Sequence, residues 1–427
     1  MIIYTAKSGD TLYGIARSYG LTVGELQRFN GLPDPDRIAV GQDILIPISD
    51  SLHTVSRGES LYSIAMEYGT TVENILERNP ELRPPYMIYP GMVLYIPSVS
   101  AARKTIDVNG YAYPGINRAT LESTLPFLTY LSIFSHRVST DGTLGTVDDG
   151  WLISSAVKAV VSPVMVITNT DSSGSFRSEI ANTVLNSDSI RSVLIENTVS
   201  TARSKGYRGV DVDFEYIYPD DREKYNEFLS ALKAELDRYG LSLSTAVAPK
   251  LSADQQGTLY EAHDYTFHGK SADRVILMTY EWGYLYGPPM AVAPLSEVKK
   301  VLTYAVTAIP PEKLLMGMPN YGYDWLLPYE SGTPADILSI SGAILRAADT
   351  RSIIQFSETA QSPFYEYTEG GRDHIVWFEN PRSIKAKLGL VKDFNLSGIS
   401  IWTVNQFYLQ AWRVITDTFG IRKLSVF

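Results

Sequence analysis

Gly206-Tyr207-Arg208-Gly209-Val210-Asp211-Val212-Asp213-Phe214-Glu215-Tyr216 is the stretch on which the fold of this chain turns. Read at the two-residue period of a strand, Asp211, Asp213 and Glu215 share one face, and Val210, Val212, Phe214 and Tyr216 share the other. Helical patterns at 190–204 and 223–239 flank it, which is where a central parallel strand belongs. The bland alternative is an edge strand with a solvated acidic face. Buried, three carboxylates in a row are costly, and their crowding holds a proton on one of them. A general acid working near neutral pH needs such a proton.

Outward from this strand the chain alternates strands and helices from residue 105 onward. Strands are predicted at 106–112, 128–134, 164–168, 210–215, 241–247, 274–279, 314–318 and 398–402, and helices at 151–160, 190–204, 223–239 and 295–308. Eight βα units in about 320 residues give an α/β fold, a (β/α)8 TIM barrel occupying 103–427. A small α+β insertion is expected between strands 7 and 8, within 325–394. There two strand-like runs, 363–368 and 373–378, are joined by Glu369-Gly370-Gly371-Arg372, a hairpin signal. An open doubly wound sheet is the rival architecture, but after its first strand Asn109-Gly110-Tyr111-Ala112-Tyr113-Pro114 stands where a Gly-rich phosphate loop would be.

Ahead of the barrel lies a repeat. Gly9-Asp10-Thr11-Leu12-Tyr13 returns as Gly58-Glu59-Ser60-Leu61-Tyr62, and Ile15-Ala16, Tyr19-Gly20, Thr22-Val23 and Asn30 return as Ile64-Ala65, Tyr68-Gly69, Thr71-Val72 and Asn79. After one extra residue in a Pro-rich loop (Pro33 and Pro35, against Pro84 and Pro85), Gly41 and Ile46-Pro47 return as Gly91 and Ile96-Pro97. Each unit reads strand, helix, helix, strand, with Thr11 or Ser60 where the first helix begins. The units, 1–48 and 51–98, resemble LysM modules, small βααβ domains that bind N-acetylglucosamine-containing glycans. That resemblance implies glycan contacts from Gly9, Asp10, Thr11 and Leu12 and from Gly58, Glu59, Ser60 and Leu61. A short linker is expected at 98–104.

Composition narrows the partners. A net charge of −10 with no long basic run argues against nucleic acid and anionic membranes. The absence of cysteine excludes disulfides and thiolate metal sites. His263 and His268 are five apart, the wrong pitch for a helical zinc pair, and all five histidines read as structural or surface residues. No metal or cofactor is expected, and no Walker loop or Gly-x-Ser-x-Gly elbow is present. The opening Met-Ile-Ile-Tyr-Thr-Ala-Lys lacks the features of a signal peptide, and the apolar stretch around 157–167 is too short and too broken to span a bilayer.

Active groups of a barrel lie at the C-terminal ends of its strands. Those ends carry Tyr111 and Tyr113 on strand 1, the acid row on strand 4, and Met278-Thr279-Tyr280-Glu281-Trp282 on strand 6. Strand 7 ends in Met318-Pro319-Asn320-Tyr321 and strand 8 in Trp402. Carboxylates ringed by aromatics and amides suit a pyranose. The acid row resembles the signature strand Asp-x-x-Asp-x-Asp-x-Glu of family 18 glycoside hydrolases, with Arg208 in place of the first acid. The family's Met-x-Tyr-Asp is matched by Met278-Thr-Tyr280, with Glu281 for Asp, and its eighth-strand Trp by Trp402.

The resemblance implies that Glu215 donates the proton and that the substrate's acetamido group attacks the anomeric carbon, with retention. Asp213 would steady the resulting oxazolinium, Asp211 would share a proton with it, and Tyr280 would donate to the acetamido carbonyl. Trp402, Met278, Glu281, Asn320, Tyr321 and Tyr113 would bind substrate. Two LysM modules ahead of such a barrel resemble the spore-cortex-lytic N-acetylglucosaminidases of spore-forming bacteria. They imply action on cortex peptidoglycan, or another N-acetylglucosamine polymer, in the spore coat–cortex region; the chain is expected to act as a monomer. The alternatives are a chitinase or chitooligosaccharide hydrolase, or a non-catalytic wall-binding lectin, against which the retention of Glu215 speaks.

Overall fold

Strand Gly209–Asp213 forms at the centre of a parallel sheet, buried throughout. Two glycines at its start have different jobs. Gly206 closes the long helix Asp188–Lys205 in a left-handed conformation, φ +86°, which a side chain would disfavour. Gly209 lets the next strand approach, since a Cβ there would stand 2.2 Å from Ser242 Oγ. The computed structural model describes residues 1–47, 50–79, 82, 85–97 and 103–424. Most of the expected linker at 98–104, and Pro84, lie outside the described residues. The chain divides into two compact units, 1–38 with 42–104 and 39–41 with 105–427.

In the larger unit the barrel strands are Thr105–Ala112, Tyr130–Arg137, Ser162–Thr168, Gly209–Asp213, Ser242–Val247, Arg274–Leu277, Leu314–Pro319 and Gly398–Trp402. All pair in parallel in sequence order, and the eighth closes on the first through Gly398↔Asp107 to Ile401↔Gly110. The eight-stranded TIM barrel expected from the sequence is therefore present. Its boundaries shift where side chains take over from the ladder: the fourth strand stops at Asp213 and the sixth at Leu277, each two residues short of the prediction. The apolar face of the fourth strand packs outward. Phe214 stacks on Tyr225 and Phe228 of helix Arg222–Asp237, with centroids 6.0 and 5.9 Å apart. Each such buried side chain stabilises by about 1.5–3 kcal/mol, which helps offset the cost of the carboxylates on the other face.

The insertion between strands 7 and 8 is larger than a hairpin. It is a five-stranded antiparallel sheet in the order Asp336–Ser339, Tyr321–Leu327, Arg372–Trp377, Ser362–Glu369, Gln355–Ser357, with a helix at Ile340–Thr350. The predicted hairpin is its Ser362–Trp377 portion. Gly370 and Gly371, at φ +58° and +77°, make a two-residue turn that needs positive φ at both positions. Sequence reading placed Tyr321 on a barrel-strand end, whereas it opens the first strand of this lobe.

The smaller unit carries both βααβ repeats. In the first, strands Ile2–Thr5 and Asp43–Ile46 pair antiparallel beside helices Leu12–Ser18 and Val23–Asn30. The second matches with Asp50–Thr54, Leu61–Glu67, Val72–Arg78 and Val93–Pro97. Thr11 and Ser60 cap the first helix of each, as the repeat implied, by accepting from Gly14 N–H and Ser63 N–H. Among the described residues no helix is long and apolar enough to cross a membrane.

Candidate active site

A cleft of about 560 Å³ opens at the C-terminal end of the barrel strands. Asp213, Glu215, Met278, Tyr280, Glu281 and Trp402 line it, so the structure brings together six of the residues singled out from sequence. Asp211 lies one layer deeper and fully buried, where its Oδ2 accepts from Tyr111 Oη at 2.6 Å. Asp211 Oδ1 and Asp213 Oδ1 are buried with no hydrogen-bond partner among the described residues. Arg208 precedes the strand's first residue, exposed at the opposite end from Glu215.

Electrostatics follow from this burial. Loss of solvent pushes Asp211 above its ordinary value. Asp213 is held well above the carboxylate range, by burial first and then by the charges of Glu215 and Asp211. Glu215 is raised to about 7, by burial and then by Glu281. Burial and the charges of Asp213 and Glu215 push the Tyr280 hydroxyl up, so it stays a hydrogen-bond donor. The group as a whole holds a proton into the neutral range, which no isolated carboxylate does.

Glu281 stands at φ +68°, an uncommon backbone for a side-chain-bearing residue. Tyr323 Oη, at 3.0 Å, and Tyr321 Oη, both from the inserted lobe, donate to its carboxylate. Removing its charge should let Glu215 ionise more easily. Glu281→Gln is therefore expected to bring the alkaline limb of the pH–rate profile to lower pH, with activity at pH 8 down roughly three- to tenfold and activity at pH 5 little changed. An alkaline limb that does not move would mean the two carboxylates are not coupled in solution.

Two expected substrate contacts are engaged within the protein, and a third stands at the rim. Asn320 Nδ2 donates to the carbonyls of Thr403 and Gln406 at 2.9 and 2.8 Å, bracing the loop after strand 8 rather than lining the cleft. Tyr321 is spent on Glu281. Tyr113 is 43% exposed at the rim and packs edge-on against Trp402 and Phe134, at 5.9 and 5.3 Å. Trp402 serves both core and cleft, since Phe134 and Tyr111 also pack against it.

The sequence reading missed Phe176, Tyr216, Tyr260 and Tyr284, which line the same cleft from loops. At the two-residue period of a strand Tyr216 falls with the apolar face. The strand ends before it, and φ +54° turns it into the cleft beside Glu215. Loops have no periodicity to read; the 28 tyrosines were the only signal.

In the repeats, Leu12 is 1% exposed within the core of its module and is corrected from a glycan contact to a packing residue; Leu61 packs likewise, half-buried. Asp10 accepts from Lys7 N–H and Tyr4 Oη, both at 2.7 Å, and Glu59 from Ser56 N–H at 2.6 Å, so these carboxylates are bound internally. Gly9, Thr11, Gly58 and Ser60 remain at the surface. Among the described residues His53, Glu59 and Glu67 form the one acidic–histidine group close enough to share a metal, and His53 Nε2 is already paired with Glu59 at 2.8 Å.

The family model of glycosyl hydrolases family 18 matches residues 160–406, and that of the LysM domain matches 4–47 and 53–97. A cortical fragment-lytic enzyme of Bacillus subtilis is 42% identical over 432 residues, covering 99% of both chains. The crystal structure of the spore cortex-lytic enzyme SleL from Bacillus megaterium superposes with a TM-score of 0.88 at 37% identity, covering 99% of each chain. A chitinase structure from Chromobacterium violaceum covers 74% of this chain and 99% of its own, with a TM-score of 0.69 at 25% identity.

Proposed function

The chain belongs to glycosyl hydrolases family 18 and is a glycoside hydrolase carrying two LysM domains; on that footing we propose that it cleaves β-1,4 bonds following N-acetylglucosamine in peptidoglycan, that of the spore cortex in particular. The observation that carries this reading is the Asp213–Glu215 pair lining a cleft in which Glu215 keeps its proton to about 7. The cortex is favoured by similarity over full length to the cortical fragment-lytic enzyme of Bacillus subtilis and to the spore cortex-lytic enzyme SleL. The same relatives support a place in the spore.

Glu215 protonates the glycosidic oxygen as the bond to the anomeric carbon breaks. The 2-acetamido carbonyl oxygen of the same sugar attacks that carbon from the opposite face, giving an oxazolinium. Asp213 accepts the acetamido N–H and balances the positive charge, while Asp211 behind it shares the proton load. Tyr280 donates to the carbonyl oxygen and helps aim it. Water, deprotonated by Glu215, then opens the ring, and configuration is retained; a single proton-transferring carboxylate is enough when the substrate supplies the nucleophile.

Cleft composition supports a neutral sugar at this point: among the described residues its lining holds carboxylates, aromatics and aliphatic groups but no cation. The same trait suits chitin, a second reading favoured by the chitinase likeness. Digestion of purified cortex and of chitin, with products identified by mass spectrometry, separates the readings. Cortex fragments ending in reducing N-acetylglucosamine are expected. Muramic acid at every new reducing end would overturn the bond assignment, and faster release from chitin than from cortex would overturn the substrate.

A further inference from the structure

We propose that Asn169 is a positioning residue for Glu215, its carboxamide standing in for the strand ladder beyond Asp213 and fixing where the catalytic carboxyl enters the cleft. The proposal rests on the reading of Glu215 as proton donor.

The backbone ladder between the third and fourth strands ends at Thr168↔Asp213. Glu215 lies two residues further on, with no strand partner among the described residues, in a segment that must hold its place by other means. The next residue of the third strand's chain is Asn169, fully buried. Its Oδ1 accepts from Glu215 N–H at 2.9 Å, and its Nδ2 donates to Glu215 O at 2.8 Å. One side chain thereby satisfies both backbone groups of one residue, as a neighbouring strand would. The second Nδ2 proton goes to Arg177 O at 3.0 Å, tying the same amide across the loop that carries Phe176 into the cleft.

The residues on either side are held in the same manner. His263 Nε2 lies 3.0 Å from Phe214 O, and its Nδ1 accepts from Ala248 N–H at 2.9 Å, so the ring is the neutral Nε2–H tautomer donating to Phe214. Ser178 Oγ donates to Tyr216 O. Three consecutive carbonyls, on Phe214, Glu215 and Tyr216, are thus met by the side chains of His263, Asn169 and Ser178. Asn169 alone grips the acid-bearing residue at both ends of its backbone. A carboxylate there would keep the acceptor and lose the donor, so the role calls for an amide.

The test exploits leaving-group chemistry. A glycan oxygen must be protonated to depart, whereas a 4-nitrophenolate departs without a proton. A misplaced acid should slow the first and spare the second. Asn169→Ala is expected to lower kcat/KM on a soluble N-acetylated glycan by roughly 10- to 100-fold, and on the 4-nitrophenyl glycoside of an N-acetylglucosamine oligomer by no more than about threefold. Equal loss on both substrates would make Asn169 a purely structural residue and overturn the proposal.

Asn169→Asp, nearly isosteric and retaining the bond from Glu215 N–H, should show the same asymmetry at smaller size; unchanged turnover of glycan would also overturn it. Glu215→Gln run in parallel keeps the two readings apart. If it shows the asymmetry and Asn169→Ala does not, only the positioning role falls. If Glu215→Gln itself lacks the asymmetry, the proton-donor assignment falls instead.

Discussion

Glu215→Gln is expected to lose hydrolysis of glycan by about 10²–10⁴-fold while keeping its hold on the polymer. Glutamine preserves the shape of the side chain and the backbone bonds to Asn169, and removes only the transferable proton. Activity near that of the parent would show that another group donates the proton. The same substitution carries a stability signature. Glu215 holds its proton more tightly in the folded chain, to about 7, than an unfolded carboxyl would. Its contribution is therefore fully present below the ordinary carboxylate range and is lost as pH rises through about 7. Glutamine suffers no such loss. The variant should melt at higher temperature than the parent at pH 8, and at nearly the same temperature at pH 4, as followed by calorimetry.

Asp213→Ala should cost about 10²–10³-fold in kcat, the scale of removing one well-placed electrostatic partner from a developing charge. Asp213 lines the cleft, so its carboxylate is placed to accept from a group brought by the substrate. The acetamido N–H is the proposed donor. A de-N-acetylated glycan of the same length should accordingly resist cleavage by the parent enzyme. A covalent glycosyl ester trapped on any carboxylate would instead demonstrate a two-carboxylate mechanism and remove the substrate from the role of nucleophile.

The barrel was legible because parallel strands buried on both faces leave short apolar runs between helical patterns, and all eight runs were found. The acid row was legible because buried carboxylates at a two-residue period have few structural excuses. What period cannot say is where a ladder stops. Tyr216 was assigned to the wrong face because the strand ends at Asp213 and the backbone turns left-handed three residues later. Asn320 and Tyr321 were assigned to substrate because a strand end tells which rim a residue occupies, not which neighbour its side chain meets. Tyr321-Gly-Tyr323-Asp-Trp325 did carry an alternating signal for the first strand of the inserted lobe, hidden by its joining directly to barrel strand 7. In the repeats, identity at a spacing of 49 residues marked positions shared by both modules, but sharing alone does not separate the packed Leu12 from the exposed Thr11.

Closure of the barrel has a consequence for how the protein is made. Each N-terminal module pairs its own first and last strands and is complete once residue 46, or residue 97, has left the ribosome. The first barrel strand is in a different position. Asn109 binds Ser400, 291 residues later, so the seam between strands 1 and 8 stays open until residue 400 has been translated. At about 5–20 residues per second that is an interval of about 15–60 s. Throughout it the two modules are folded while strand 1 presents an unpaired edge, the species most prone to mispairing with another chain. Nascent chains halted before residue 398 should therefore resist protease in the N-terminal repeats alone, and the barrel should become protected late and in one step.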